Sequence, residues 1–150
     1  MKSDLYQYQV EAYVESVCLA HPNEDISGTW TPSVGGDMFA VIDELQIDDT
    51  DYIESVGSPT SQSAEVALED CPDPERNDGH IVRYRYQRGQ GTDPVDLTVL
   101  LLDASTTIAT FTHTNIGDSV VEAIQSLTAA EADNISDYSN LRLRFTANAP

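Results

Sequence analysis

The sequence predicts an all-β chain folded as an antiparallel, jelly-roll-like β-sandwich with one short helix near residues 129–135. Three observations carry this. Apolar and polar residues alternate with period two in most segments. Gly, Pro, Asp and Ser clusters punctuate those segments at near-regular spacing. One segment, 95–102, is apolar on both faces, as a central strand must be.

The elements follow in order. In residues 4–17, Tyr6, Tyr8, Val10, Ala12 and Val14 alternate with Gln7, Gln9, Glu11, Tyr13 and Glu15. That pattern in β-favouring residues predicts a strand, with a helix on Leu5, Tyr8 and Ala12 as the competing reading. Residues 21–28, polar and carrying Pro22 and Gly28, read as a linker or long turn. The expected division is therefore an N-terminal arm and linker over 1–28 and a β-sandwich domain over 29–150. Trp30, beside Thr31 and Pro32, is expected to plug the core. A mixed apolar run covers 39–45. An acidic turn at Asp48, Asp49 and Asp51 leads into a short strand over 52–56.

The strand pattern strengthens beyond residue 60. Val66 and Leu68 share one face, with Glu65 and Glu69 on the other. After a Pro/Asp-rich loop, Val82, Tyr84 and Tyr86 alternate with Arg83 and Arg85. Strands are expected over 95–102, 107–114, 119–127 and 141–147. Thr128 and Glu131 stand at the two ends of a capping box and open the short helix. The expected core includes Val82, Leu97, Val99, Leu101, Leu141, Leu143 and Phe145.

Composition excludes several functions. The chain has 150 residues, 26 acidic and 7 basic, for a net charge of -19. Neutralising phosphates requires Lys and Arg, so neither a nucleic acid nor an anionic membrane is an expected partner. Lys2 is the only lysine. High acidity with little Lys suits a protein working in salt water or kept soluble at high local density. Cys18 and Cys71 can pair once or not at all; the expectation is two free thiols used as small apolar residues, and the absence of a Cys/His cluster excludes a structural zinc site.

Candidate chemistry is sparse. His21, His80 and His113 are scattered, and no nucleophile elbow, zincin motif or phosphate-binding glycine loop occurs. The expectation is a protein that is not an enzyme. Asp73, Glu75 and Asn77 imitate the start of an EF-hand, but Asp78 stands where the loop needs Gly and Tyr84 where it needs Glu. The expectation is no cofactor, with Ca²⁺ in an acidic loop as the lesser alternative. Arg83, Arg85, Arg142 and Arg144 fall in two strands. Should those strands lie together, the four share one outer face, either a salt-bridged solvated surface or a partner interface. Trp30, Tyr52, Tyr84, Tyr86 and Tyr138 are the rings available for stacking a sugar.

Short words along the chain carry a resemblance. They are Trp30-Thr31-Pro32, Ile42-Asp43-Glu44, Asp48 to Ile53, Val82 to Tyr86, Asp96 to Val99, Ile108-Ala109, Leu127 to Ala132, and Asp137-Tyr138 with Leu141 to Phe145. Over roughly 29–148 the chain resembles small β-sandwich virion structural proteins of tailed bacteriophages. The resemblance implies a head decoration or cement protein, a head fibre or a tail part, located on the virion. It implies as partner the major capsid protein or another virion protein, with homo-oligomers on the particle. A carbohydrate-binding module, at a tail tip or fibre, is the alternative. The expected partner-binding residues are Tyr6, Tyr8, Val10 and Val14 of the arm together with Arg83, Arg85, Arg142 and Arg144. The arm either adds as a strand to, or lies in a groove on, a capsid or tail protein, or folds back as an extra strand of its own sandwich.

Overall fold

The computed structural model describes residues 18–43 and 46–150. Tyr6, Tyr8, Val10 and Val14, and with them the question of anchor or extra strand, lie outside the described residues.

Antiparallel sheets packed face to face form an all-β sandwich. The strands are β1 (Pro22–Gly28), β2 (Thr31–Pro32), β3 (Ile53–Glu54), β4 (Gln62–Leu68), β5 (Ile81–Tyr86), β6 (Asp96–Asp103), β7 (Thr106–His113), β8 (Val121–Ser126) and β9 (Leu141–Asn148). One layer is a five-stranded sheet in the order β1-β4-β9-β6-β7. Facing it across the core is the ribbon β5-β8, and β2 and β3 pair as a separate two-stranded sheet.

Period-two alternation builds the core as rows across the large sheet. Val66, Leu143, Leu101 and Ala109 stand opposite one another on β4, β9, β6 and β7. Ala64, Phe145, Val99 and Phe111 form the next row. Val82, Tyr84 and Ala123 close the core from the ribbon. Leu143 is 7% exposed and Val99 fully buried, whereas Phe145 is only partly buried, at the margin against Trp30. Trp30 packs there as expected, its indole N–H donating to the Gln62 carbonyl. The helix α1 (Ala129–Asp133) carries the full capping box of Thr128 and Glu131.

Two expectations are overturned. Residues 22–28 are not a linker: they form β1, the edge strand paired with β4, so the sandwich begins before residue 29. The strand escapes a reading by periodicity because it is polar and bulged, with register shifts on either side of Glu24–Asp25. As its first residue, Pro22 removes no essential ladder donor. Asp25 holds the strand to the body of the fold, its carboxylate accepting the Met38 and Phe39 N–H groups at 2.7 Å each. Gly28, at φ 136°, must be glycine: a Cβ would lie 2.6 Å from the Ala64 Cα and the Ser63 carbonyl oxygen. Nor are the cysteines free. Cys18 and Cys71 form a disulfide across a Cα–Cα distance of 5.8 Å, tying the entry to β1 to the exit of β4. Pairing of β1 with β4 creates that proximity, and residues 53 apart in sequence show nothing of it.

Candidate functional site

The condition under which the four arginines would share one face is not met: their two strands do not lie together. β9 lies in the large sheet between β4 and β6, whereas β5 lies in the opposite layer. Their non-core side chains therefore point to opposite outer surfaces of the sandwich. Arg142 and Arg144 converge on Glu65, at 3.2 Å and 2.7 Å. Glu65 is only 4% exposed, and each of its carboxylate oxygens accepts from one of the two arginines. Arg85 grips Asp49 with both ends of its guanidinium, at 2.8 and 2.7 Å, and holds that carboxyl below its ordinary pKa. Arg88 pairs with Asp118.

Arg83 differs. Its cross-strand neighbour on the outer face of the ribbon is Ile124, 50% exposed, and Ile81 beside it is 37% exposed. Its Nε is buried without a hydrogen-bond partner, and no ion pair involves Arg83 among the described residues. In a chain with 26 acids, this leaves a cationic group flanked by exposed isoleucines and met by no acid among the described residues.

The acids of the loops close turns. Asp48 accepts from the Thr50 backbone and hydroxyl, Asp73 from the Glu75 N–H, and Asp137 from Ser139 and Asn140. Asp103, 6% exposed, accepts three bonds from Ser136 and Asp137; the Ser136 hydroxyl leads in holding its pKa down. Among the described residues, no group of three or more His, Cys, Asp or Glu is placed to hold a metal ion.

An inner polar cluster had no sequence signal beyond the inward alternation of Tyr84 and Tyr86. The His113 Nε2 lies 2.6 Å from the Tyr84 hydroxyl, and its Nδ1 lies 3.0 Å from the Tyr86 hydroxyl. A neutral imidazole offers one N–H and one lone pair, so one tyrosine donates to the ring and the other accepts from it. Burial drives the Tyr84 hydroxyl up to about 12 and pushes the His113 imidazole below its ordinary value. Neutral His113 thus contributes stability that is complete above pH 6.5 and is lost as pH falls through the lower folded value. Wild type should therefore lose its advantage over His113→Gln on acidification. Denaturant midpoints of the two at about pH 8 and about pH 5 check this; a gap independent of pH would show that the ring is not held neutral.

Between β3 and the 87–91 turn lies an open groove of about 470 Å³, lined by Tyr52, Glu54, Gln87, Arg88, Gln90 and Asp118. Tyr52 is 47% exposed.

No protein-family model matches the chain, and no curated protein and no solved structure matches it either.

Proposed function

We propose that this chain is a non-enzymatic structural protein of a tailed-phage virion, a head decoration or cement protein that docks through the outer face of the β5-β8 ribbon. The observation that carries the reading is Arg83, without an ion-pair partner among the described residues and with its Nε buried, between exposed Ile81 and Ile124. Burying a guanidinium costs free energy unless a carboxylate or carbonyl meets it, and arginine ringed by apolar side chains is a common anchor of protein interfaces. The complementary surface is an acidic or carbonyl-rich depression on the major capsid protein. Three further features support the reading. The all-β sandwich is the fold the phage resemblance implies. The disulfide suits a particle surface outside a reducing cytoplasm. The charge of -19 keeps densely arrayed copies from clumping by mutual repulsion.

The test is co-sedimentation of the disulfide-bonded chain with purified heads lacking it. Binding at fixed stoichiometry is expected, and Arg83→Glu should weaken it by about tenfold or more, because a carboxylate then faces the capsid's acids. Absence of the chain from a mass-spectrometric inventory of purified virions would overturn the proposal. So would binding indifferent to Arg83→Glu.

A further inference from the structure

The groove between β3 and the 87–91 turn has no part in the docking face. We propose that it is a binding site for a neutral carbohydrate, with Tyr52 as the stacking platform. The groove is open to solvent, with a volume of about 470 Å³.

Its walls are held by other parts of the chain. On one side both backbone groups of Tyr52 are clamped to Ser33: the Tyr52 carbonyl accepts the Ser33 N–H at 2.8 Å, and the Tyr52 N–H donates to the Ser33 hydroxyl at 3.0 Å. The ring is thereby displayed on a fixed backbone while remaining half-exposed. On the other side the Arg88 N–H donates to the Gly117 carbonyl at 2.7 Å, and the guanidinium Nε donates to Asp118 at 2.7 Å. The turn carrying Gln87 and Gln90 is pinned by these contacts. A site fixed before its ligand arrives avoids part of the entropy cost of binding.

The chemistry of the lining selects the ligand class. A tyrosine face offers a flat apolar surface with a polar tip, which matches the C–H face of a pyranose. Gln87 and Gln90 each present donors and an acceptor, and Glu54 presents two acceptor oxygens. Planar groups of this kind can meet pairs of neighbouring hydroxyls with two hydrogen bonds each. The local charge decides against acidic sugars: Glu54 and Asp118 outnumber Arg88, and the chain as a whole carries -19. A uronate or sulfated sugar entering the groove meets repulsion that a neutral hexose does not.

The inference does not rest on the docking proposal: Ile81, Arg83 and Ile124 are not among the groove's lining residues, so Arg83→Glu reads attachment to heads and Tyr52→Ala reads sugar binding. The test titrates the full disulfide-bonded chain with maltohexaose, cellohexaose, N-acetylchitohexaose, a linear mannohexaose and, as the acidic comparison, hexagalacturonate. The readouts are tyrosine fluorescence and backbone amide shifts. Saturable binding of at least one neutral probe is expected, with the largest shifts at Tyr52, Gln87 and Gln90. Tyr52→Ala should weaken it by about tenfold or more, and Gln87→Ala should weaken it at an unchanged melting temperature. Tyr138→Phe, away from the groove, should leave it unaltered. The proposal is overturned if no neutral probe binds at millimolar concentration, if hexagalacturonate binds better than every neutral probe, or if affinity survives both Tyr52→Ala and Gln87→Ala.

Discussion

Replacing Cys18 and Cys71 together by serine is expected to destabilise the chain by about 4 kcal/mol, the largest effect of any change considered. The bridge joins residues 53 apart, and on the chain-entropy account a closed loop of that length removes about that much freedom from the unfolded state. In a domain of this size the melting temperature should fall by roughly 8–16 °C. The loss should not be evenly felt. β1 is an edge strand with bulged pairing to β4 alone, and Cys71 anchors the entry to it. Hydrogen exchange in the double serine variant should therefore rise first in the amides of residues 22–28, while the β6-β9 ladder keeps its protection until global unfolding. A melting shift of only about a degree or two would show that the bridge contributes little to the constraint of the unfolded chain.

Truncating Leu143 to alanine is expected to cost about 3 kcal/mol. Leu143 stands in the row Val66–Leu143–Leu101–Ala109 and faces the core at 7% exposure. The central position of β9, between β4 and β6, leaves little room for collapse around the deleted atoms. Both the transfer term and the cavity term then apply, and their usual sum is about 2–5 kcal/mol. Ile124→Ala is the natural comparison. Its side chain is 50% exposed on the outer face of the ribbon, so its loss should alter stability by less than about 0.5 kcal/mol while weakening attachment to heads. Chemical denaturation of the two variants separates these roles. Equal destabilisation by both would mean that the core does not lie between the large sheet and the ribbon.

The expected strands beyond residue 60 appear in the structure because most carry their own alternation and one is apolar on both faces, properties of adjacent residues that survive without tertiary information. β6 was legible as a central strand from Leu97, Val99 and Leu101 against Leu100 and Leu102, and it lies between β9 and β7. The Thr128–Glu131 capping box was legible because both its partners lie within one turn. β1 was not, because an edge strand made of Pro, Asn, Glu, Asp and Ser is held by pairing, by Asp25 and by the space beside Gly28, none of which leaves a local periodic trace. The disulfide was missed for the same reason: apposition of Cys18 and Cys71 follows from the β1-β4 register.

For the candidate sites the division is sharper. The sequence by itself determined the charge, the fold class, the inward course of Tyr84 and Tyr86 and the outward course of Arg83, Arg85, Arg142 and Arg144, since these depend on composition and on parity along a strand. Which outer surface each arginine occupies, and which acid it meets, depends on sheet order, and sheet order is set by contacts between distant segments. Only the tertiary structure decided that Glu65 is enclosed by Arg142 and Arg144, that Asp49 answers Arg85, and that Arg83 is left between two isoleucines. It likewise brought Tyr52 to one wall of a groove whose other wall begins at Gln87. Strand parity is a local rule of the pleated backbone; the choice of neighbouring strand is a global outcome of burying apolar rows together.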